Sequence, residues 1–375
     1  MARSTASVEA GINRTVSDLR VAIIGYGLAG RYFHAPLVAS TPGLVVASVI
    51  TSDERRQRQA GAEHPDARVL PRLQDALEQA PDLVVIATAN TAHVELASAA
   101  LDRGVPAVVD KPLASSADEA QELVGRAERA GVLLTVFQNR RWDTDQLTLR
   151  RLIDDGALGN ITRYESRFER WRPDPAPQNW REALPSEQGG GVLLDLGSHL
   201  VDQALVLFGP ASRVYAEVAS RRGTPGDDDV FIALQHAGGT TSHLWGSAFA
   251  PAPGPRLRVQ GTAGGFVVTG LDPQEAAMRE GRRPAGDADW GRPAEWEYPR
   301  LLAGERSVPV PPEPGDWPRF YALVREALMA GGPPPVDPRD AVEALRVLEA
   351  ARQSARTRSV IALESGPRRE RSATV

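Results

Sequence analysis

Cysteine is absent from the 375-residue chain, which excludes disulfides, cysteine-ligated zinc, iron–sulfur clusters and thiol nucleophiles together. No apolar run approaches the ~20 residues that cross a bilayer, and the stretch 1–18 lacks the basic start and apolar core of a signal peptide. The net charge of −5 leaves no basic field for a nucleic-acid backbone. We therefore expect a cytoplasmic protein that binds small molecules, with a disordered lead-in at 1–18 and a polar tail at 361–375.

Lysine is almost absent too. The chain has 43 basic residues, of which Lys111 is the one lysine and 42 are arginines. If position 111 needed only a solvated positive charge, arginine would serve there as it does elsewhere. Lysine is a compact donor on a flexible stem, whereas arginine presents a wide planar fork. The lysine at this position therefore indicates a chemical role.

Residues 19–139 alternate short apolar runs with helical segments. The apolar runs lie at 19–25, 44–50, 83–87, 105–109 and 132–137, with helical segments at 54–61, 73–80, 92–103 and 116–130. Strands that alternate with helices are typical of a parallel, doubly wound sheet. We predict an α/β Rossmann domain for dinucleotide binding over 19–139.

Residues 140–360 follow a different pattern. Alternating apolar and polar residues indicate strands at 160–171, 213–220, 230–236, 240–249, 256–261 and 265–269, and helices are expected at 146–155, 192–208, 317–330 and 338–356. Strands with few helices between them predict an α+β domain with a large, open, mostly antiparallel sheet. The Pro- and Gly-rich stretch 273–314 is expected to form a long surface excursion. We expect this second domain to bind the substrate.

The first apolar run ends in a G-x-G-x-x-G motif, Gly25-Tyr26-Gly27-Leu28-Ala29-Gly30. In a dinucleotide-binding loop the first glycine makes the tight turn, the second lets the backbone approach the pyrophosphate, and the third lets helix and strand pack closely. The motif alone also fits a plain glycine-rich turn. Because it follows the first strand of a strand–helix alternation, we interpret these six residues as a pyrophosphate-binding loop.

The end of the second apolar run bears on the choice between NAD and NADP. An NAD enzyme carries Asp or Glu ~20 residues past the glycines, and that position is apolar here. The residues that follow include Thr51, Ser52, Arg55 and Arg56. Hydroxyls and arginines suit a 2′-phosphate better than a free ribose, although both arginines could simply be solvated. Asp53 is expected to cap the next helix. The pattern favours NADP, with NAD possible.

Two places carry residues suited to chemistry. Asp110-Lys111-Pro112 follows the fifth apolar run, at the strand end where an open parallel sheet binds its ligand. The apolar helix predicted at 192–208 contains Asp195, His199 and Asp202 at one-turn spacing. Histidine titrates near neutrality and can exchange a proton with a carbinol oxygen. We predict catalytic roles for Lys111, Asp195 and His199, with Asp202 as either a support for His199 or a structural partner.

Two alternatives to this interpretation are an ion pair on a helix face without chemistry and a metal site formed by Asp195, His199 and Asp202. An acid and a histidine in a buried apolar helix need a reason to be there, and a lysine donor competes poorly with a cation. We therefore expect a functional pair and no metal. Further contacts with the cofactor are expected from Thr88, Asn90, His93 and Asp110.

The motifs GYGLAGRYFHAPL, TANTAHVELA, DKP, FQNRRWD and GGGVLLDLGSHLVDQ together resemble those of the Gfo/Idh/MocA oxidoreductases, over about residues 19–356. Their spelling is similar to that of the NADP-dependent scyllo-inositol dehydrogenase branch. The resemblance implies catalytic roles for Lys111, Asp195 and His199, and it implies homodimers or homotetramers formed through the C-terminal sheet. The usual Glu-Lys-Pro is here Asp-Lys-Pro, so a shifted hydrogen bond is expected. From resemblance and position, a substrate pocket is expected from Asn139, Arg141, Trp142, Trp171, Arg172 and Trp180, beside the catalytic trio.

These features predict an NAD(P)-dependent dehydrogenase that oxidises a secondary carbinol of a cyclic polyol or sugar, or reduces the matching ketone. His199 is the expected general acid/base, Lys111 is expected to bind the reacting oxygen, and Asp195 to orient a hydroxyl. The alternatives are an aldose or amino-sugar-pathway reductase, a non-catalytic NAD(P)-binding sensor, and a glycosidase that uses bound NAD. The lone lysine and the Asp195–His199 pair disfavour the sensor.

The variant Lys111→Arg tests the role of the single lysine. It keeps the charge, so cofactor affinity should be unchanged, but the wide guanidinium displaces the reacting carbon, and kcat should fall by about 100-fold or more. Steady-state kinetics and cofactor titration of the variant and the wild type measure both quantities. A variant with near-normal kcat would contradict a special role for the lysine.

Overall fold

A computed structural model describes residues 18–363. Two sheets organise this part of the chain, one of six strands and one of nine. The predicted lead-in, apart from Asp18, and the predicted tail after residue 363 lie outside the described residues.

The first sheet forms the predicted Rossmann domain. Its strands are β1 (Leu19–Ile24), β2 (Leu44–Ile50), β3 (Arg68–Leu70), β4 (Leu83–Ile86), β5 (Ala107–Asp110) and β6 (Leu134–Phe137). All neighbours pair in parallel, in the order β3-β2-β1-β4-β5-β6. The short runs β4, β5 and β6 are wholly buried, as expected of strands covered on both faces. The strand order reverses between β1 and β4, and the crevice at such a point is where these sheets bind ligands.

The helices of this domain are α1 (Ala35–Ala39), α2 (Glu54–Glu63), α3 (Leu73–Leu77), α4 (His93–Leu101) and α5 (Ala117–Ala130). A π-helical turn, Gly30–His34, leads from the glycine loop into α1. The side chain of Ser116 caps α5 by accepting the backbone N–H of Glu119 at 3.2 Å, and Gly131 ends that helix in a left-handed conformation. The α/β alternation predicted from the sequence is confirmed.

The second sheet confirms the predicted α+β domain. Its strands are β7 (Ile161–Glu169), β8 (Ala211–Ala219), β9 (Asp229–His236), β10 (Thr241–Ser247), β11 (Leu257–Gly261), β12 (Gly265–Val268), β13 (Arg300–Ala303), β14 (Arg306–Pro309) and β15 (Ile361–Ala362). The order is β14-β13-β12-β11-β7-β10-β9-β8-β15, and every pair is antiparallel except β7 with β10.

The helices of the second half are α6 (Thr144–Asp154), α7 (Trp180–Ala183), α8 (Val192–Asp195), α9 (Gly197–Phe208), α10 (Gln274–Arg279), α11 (Pro318–Ala330) and α12 (Pro338–Thr357). The long α12 packs on β8, on α9 and on α5 of the first domain. It therefore joins the cores of the two domains. The outer face of the nine-stranded sheet carries half-buried aromatic side chains such as Phe231 and Trp245, and the homo-oligomer expected through this sheet stays a prediction.

The single helix predicted at 192–208 is wrong. The helix is interrupted at Leu196, and the helical segment that ends at Asp195 is bent by 56° relative to α9. Gly197, a poor helix former, lies at the break, and a Cβ there would come within 3.0 Å of the Leu348 side chain on α12. The close approach of α9 to α12 explains the glycine. Asp195 and His199 consequently lie on different helices and do not share one helix face.

The surface excursion predicted at 273–314 is correct only in part: many residues between 279 and 309 are exposed, but the stretch is not a plain loop. This stretch contains α10 and the hairpin β13–β14, which extends the sheet beyond β12. Gln274 is fully buried, and its Oε1 accepts the indole N–H of Trp290 at 2.9 Å and the backbone N–H of Trp317 at 2.8 Å. One buried amide thus fastens the stretch to α11, a contact that composition alone does not predict.

Within residues 18–363 no single helix is long and apolar enough to cross a membrane. Two consecutive helical segments, Ser186–Asp195 and Gly197–Phe208, would together be long and apolar enough, but they are bent by 56° relative to each other. Most residues of α9 are buried in the protein core. The cytoplasmic location stays a prediction.

Candidate active site

Two adjoining cavities lie beside the carboxyl ends of β4 and β5. The smaller one, of about 250 Å³, is lined by Asn90, Lys111 and Trp180, among others. The larger one, of about 470 Å³ and open to solvent, lies against the second domain. Arg181 and Asp195 line both. The predicted catalytic lysine and aspartate therefore meet where the two cavities join.

The glycine loop has the form that a dinucleotide requires. At Gly25, where φ is +92°, a Cβ would lie 2.4 Å from the carbonyl oxygen of Ala87, and at Gly30 it would lie 1.9 Å from the carbonyl oxygen of Gly25. At Gly27 the space is open, since the nearest atom is Nη1 of Arg56 at 3.9 Å. Gly25 and Gly30 thus allow the strand and the helix to pack closely. Gly27 leaves an open space beside the backbone, which we call the glycine cradle.

The other loop residues differ in what they offer. Within residues 18–363, the backbone N–H groups of Tyr26, Gly27 and Leu28 have no acceptor. The side chain of Tyr26 is buried and donates to Oε2 of Glu63 at 2.6 Å, away from the loop's open side. Leu28 is exposed and Ala29 half-buried. An anion at this loop would therefore be held by backbone donors.

The turn after β2 carries the predicted helix cap and one arginine near the loop. Oδ1 of Asp53 accepts the backbone N–H of Arg56 at 3.0 Å, which confirms Asp53 as the cap of α2. Arg56 reaches back over Gly27, while Arg55 and Ser52 are exposed. Thr51 is buried, and its hydroxyl accepts the backbone N–H of Asp53 at 3.4 Å. Arg56 is therefore the side chain of this turn placed beside the cradle.

Lys111 and Asp195 form the central contact of the site. Nζ of Lys111 donates to the backbone carbonyl oxygen and to Oδ1 of Asp195, each at 2.7 Å. An ammonium has three N–H donors, so one remains, and the lysine lines the smaller cavity. That remaining donor is available to an oxygen atom of a ligand.

Arg181 contacts the same carboxylate. Its Nε donates to Oδ1 of Asp195 at 3.0 Å. Burial alone would raise the pKa of Asp195, but the charges of Lys111 and Arg181 outweigh burial and hold that pKa far below its ordinary range. Asp195 is therefore ionised at any physiological pH. Its Oδ2 has no hydrogen-bond partner among the described residues, so it is free to accept from a ligand.

His199 is buried on the first turn of α9 and lines neither cavity, although it lies near enough to Lys111 and Asp195 for their charges to act on it. Its Nδ1 lies 3.1 Å from Oε1 of Gln138, which makes Nδ1 the protonated nitrogen. In the described chain Nε2 has no hydrogen-bond partner. Burial, together with the charges of Lys111 and Arg140, holds the pKa of His199 well below its ordinary value, while Asp195 acts in the opposite direction. The expected titration near neutrality is therefore shifted down, and His199 is a neutral base near pH 7.

Asp110 lies behind the lysine. Its Oδ1 accepts the backbone N–H of Lys111 at 2.9 Å and lies 3.8 Å from Nε2 of His34. Burial opposes ionisation, but His34 and Lys111 together hold the pKa of Asp110 below its ordinary value. The carboxylate lines neither cavity. Its position is that of a support for the Lys111 backbone.

Thr88, Asn90 and His93 line the smaller cavity, as the prediction of cofactor contacts requires. Nδ2 of Asn90 donates to the carbonyl oxygen of Gly189 at 2.9 Å, whereas its Oδ1 is buried without a partner in the described chain. The ring nitrogens of His93 lie 2.8 Å from the Pro112 carbonyl oxygen and 3.3 Å from that of Thr88. His93 thus joins two strand ends, and Asn90 leaves an acceptor for a ligand.

Two predicted residues belong to a separate buried network. Nε and Nη2 of Arg141 donate to the carboxylate of Asp202 at 2.9 and 2.5 Å, and Nη2 also donates to Asp340 at 3.0 Å. Arg141 lines neither cavity, which corrects its expected place in the substrate pocket. Asp202 is accordingly a structural partner, and His199 takes its support from Gln138.

The remaining pocket residues divide into two groups. Trp180 lines the smaller cavity, with the Arg181 guanidinium 4.4 Å from its ring centre, and Arg172 lines the larger one. Trp171 is half exposed, stacks on Phe249 at 4.9 Å between ring centres, and lines neither. Two others, Asn139 and Trp142, are buried in the short turn after β6 and also line neither.

Arg181 and Gln138 were not predicted as site residues from the sequence. Arg181 directly follows Trp180, but only the contact with Asp195 shows its role. Gln138 follows β6 directly, and the rule that ligands bind at the carboxyl ends of parallel strands could have marked it.

A nicotinamide dinucleotide fits this arrangement. The open cradle at Gly27, the three free N–H groups of the loop and the unpartnered Oδ1 of Asn90 form a path from the glycine loop to Lys111. Among residues 18–363, no group of three or more His, Asp or Glu side chains is placed to hold a metal ion.

Comparisons with known proteins agree with this arrangement. Residues 19–138 match the family model described as an oxidoreductase family with an NAD-binding Rossmann fold, and residues 146–267 match the GFO/IDH/MocA C-terminal domain. Among curated proteins, a scyllo-inositol 2-dehydrogenase (NADP(+)), IolW of Bacillus subtilis, is 33% identical over 94% of this chain and 98% of its own length.

Two further relatives are similar to this chain over more than nine-tenths of its length. The uncharacterised oxidoreductase YdgJ of Escherichia coli is 37% identical over 92% of this chain and 99% of its own length. The solved structure of the putative oxidoreductase YvaA from Bacillus subtilis superposes with a TM-score of 0.87 at 34% identity, covering 94% of this chain and 100% of that one.

Proposed function

The chain belongs to the Gfo/Idh/MocA family of NAD(P)-binding oxidoreductases, and from this premise we propose that it moves a hydride between NADP and a secondary carbinol of a cyclic polyol or sugar. The observation that carries the proposal is the contact of Lys111 with Asp195. It leaves one N–H of the ammonium and one carboxylate oxygen free at the same cavity. A carbinol with a neighbouring hydroxyl matches this pair, since one oxygen accepts and the other donates.

Lys111 and His199 divide the work at the reacting oxygen. In the oxidation direction, Lys111 donates its third N–H to the carbinol oxygen and stabilises the negative charge that develops there. Nε2 of His199 accepts the hydroxyl proton as the carbon–hydrogen bond breaks and the carbonyl forms. The nicotinamide, when bound, takes up the hydride. In the reduction direction, protonated His199 returns the proton to the oxygen.

Asp195 and Gln138 position these two groups. Oδ2 of Asp195 is free to accept the neighbouring hydroxyl of the substrate, and its carboxylate fixes Nζ of Lys111 through two hydrogen bonds. Gln138 fixes the His199 ring and directs the lone pair to Nε2. Both contacts are made between residues of the protein itself, so the fold sets the positions of the two groups.

NADP is favoured by Arg56. This side chain lies beside the glycine loop and follows the end of the second strand, where an adenosine ribose would be held in a bound dinucleotide. Asp53 uses one of its carboxylate oxygens to cap α2. The relative from Bacillus subtilis is itself named as an NADP(+) enzyme, which supports the same choice.

A substrate panel tests the proposal. Cyclic polyols, aldoses and ketoses are each assayed with NADP and with NAD by following the absorbance of the reduced nicotinamide. We expect oxidation of a cyclic polyol or sugar carbinol, with the higher kcat/KM for NADP, and at least about 100-fold less turnover in Lys111→Arg. Nucleotide binding without turnover on any compound would contradict the proposal and favour the sensor.

Replacing Arg56 separates the two cofactors. Arg56→Ala removes a charge-assisted contact to the 2′-phosphate, so the Kd for NADP should rise by about tenfold or more while the Kd for NAD stays unchanged. Arg58→Ala is the matched control, because Arg58 lies on the same helix, is exposed and pairs with Glu54. Fluorescence titration measures both constants. Equal weakening of NADP and NAD in Arg56→Ala would show that the turn after β2 does not read the phosphate.

The low pKa of His199 predicts the pH dependence. Oxidation needs neutral imidazole, and a depressed pKa keeps it neutral from alkaline pH down through the ordinary value of 6.5. The oxidation rate should therefore be flat above that value and fall only as the pH drops below it. The reduction rate should rise over the same acidic range, because reduction needs the protonated ring.

His199→Asn is the companion variant for the pH profile. It should lose the acidic limb and about 100-fold or more in kcat, with unchanged cofactor affinity. Rate profiles between pH 5 and 9 for the two proteins give the comparison. An identical limb in His199→Asn would assign the titration to another group.

A further inference from the structure

The larger cavity contains more positive charge than its own carboxylates neutralise. Four arginines line it, together with three carboxylates. The arginines are Arg170, Arg172, Arg181 and Arg222, and the carboxylates are Glu182, Asp195 and Asp227. The partners of each group show where the excess charge is.

The three carboxylates are already engaged. Asp195 pairs with Lys111 and Arg181. Glu182 lies 3.3 Å from Nη1 of Arg222, whose Nε also lies 3.0 Å from Asp228. Asp227 accepts the Ser186 hydroxyl and the backbone N–H of Leu193, both at 2.6 Å. None of these carboxylates forms an ion pair with Arg170 or Arg172 within residues 18–363, although Oδ2 of Asp195 has no hydrogen-bond partner there.

Arg170 and Arg172 have no ion pair and no side-chain hydrogen bond within residues 18–363. Among the acids, Glu275 has the largest effect on Arg170, followed by Asp195, but Glu275 is paired with Arg140 at 2.7 Å and with Arg279 at 3.3 Å. Burial and the positive charges of Arg172 and Arg140 nevertheless lower the pKa of Arg170. Arg170 is half-buried and Arg172 is exposed. A partly buried charge without an ion-pair partner carries a cost, and an anion from outside the chain would reduce it.

The backbone beneath the two arginines is held in place. The N–H groups of Arg170 and Arg172 donate to the carbonyl oxygens of Ser247 and Ala248, each at 2.9 Å, and the Arg170 carbonyl accepts from Ala250 at 3.0 Å. In an extended chain, residues two positions apart point to the same side. Both residues line the cavity, Arg170 half-buried and Arg172 exposed, whereas Trp171 between them stacks on Phe249. The pair is therefore built into the wall of the cavity.

We propose that the substrate is a hydroxylated compound with an anionic group, a carboxylate or a phosphate, and that Arg170 and Arg172 bind this group. The inference rests on the proposed dehydrogenase function and names its substrate class. The reacting carbinol lies at Lys111 in the smaller cavity, and the anion lies in the larger one, since Asp195 and Arg181 line both. Two guanidinium forks match the oxygens of a carboxylate or a phosphate.

The two arginines act on binding and not on the chemical step. They touch neither Lys111 nor His199, so they contribute affinity that is the same before and during hydride transfer. Their removal should raise KM for an anionic substrate with little change in kcat. A neutral polyol makes no charged contact there, so its KM should not change.

The test compares wild type with Arg170→Gln and Arg172→Gln, using glucose, glucuronate and glucose 6-phosphate as matched neutral, carboxylate and phosphate probes, together with neutral polyols. Arg163→Gln is the matched control, because Arg163 is exposed on β7 and lines neither cavity. Kinetics with saturating NADP and thermal denaturation of the cofactor-loaded protein with each probe are both recorded.

We expect one anionic probe to be bound and oxidised with kcat/KM about tenfold or more above that of its neutral counterpart. That advantage should be lost in both cavity variants and kept in Arg163→Gln. The probe that shows the advantage identifies carboxylate or phosphate as the anion. Equal use of neutral and anionic probes, or equal losses for both in the variants, would overturn the inference.

The thermal measurement separates the two proposals. Stabilisation by an anionic probe that disappears in Arg170→Gln, without turnover of any compound, would support the anion site and contradict the dehydrogenase function. Turnover of neutral polyols with no stabilisation by either anion would support the function and overturn the anion site.

Discussion

The contact between Lys111 and Asp195 is the constraint on which the site depends. Lys111 follows β5 of the nucleotide-binding domain, whereas Asp195 ends α8 of the second domain, so two hydrogen bonds of 2.7 Å join the domains beside the smaller cavity. The ammonium satisfies two oxygens of one residue and retains a third donor. An arginine fork holds its donors in one plane and is wider than this gap. A chain that otherwise uses arginine therefore keeps a lysine here.

Because the helix is interrupted at Leu196, Asp195 can contact Lys111 while His199 stays buried. In one continuous helix, Asp195 and His199 would project side by side. The 56° bend instead lets the carboxylate reach Lys111 while the histidine turns into the core against Gln138. The physical effect is a separation of environments: the acid keeps its charge between two cations, and the histidine stays neutral. Asp195 and His199 are only four residues apart, yet the carboxylate is kept ionised and the imidazole is kept neutral.

Much of the fold could be predicted from local patterns, since the buried strands of the first sheet are apolar runs and the glycine motif follows the first of them. Residue type and position also pointed to Lys111 and Asp195, which the structure brings into contact, while the catalytic roles stay predictions. Contacts made by distant segments could not be predicted: the apolar pattern runs through Leu196 without interruption, and the buried role of Gln274 depends on tryptophans 16 and 43 residues away. Arg141 was misplaced for the same reason, because its partners Asp202 and Asp340 come from two other helices.

In a chain with 42 arginines, the presence of an arginine at a cavity says little about binding. Whether that arginine has a carboxylate partner says much more. Arg222 and Arg170 line the same cavity, but Arg222 is enclosed by Glu182 and Asp228, whereas Arg170 has no carboxylate within bonding distance in the described chain. The two ion pairs of Arg222 give it a structural role. Arg170 is half-buried and is influenced only by acids beyond ion-pair distance, such as Glu275, so part of the cost of burying its charge remains. Its backbone is tied to the neighbouring segment by hydrogen bonds, so the fold keeps this charge at the cavity, where the proposed anionic ligand would neutralise it.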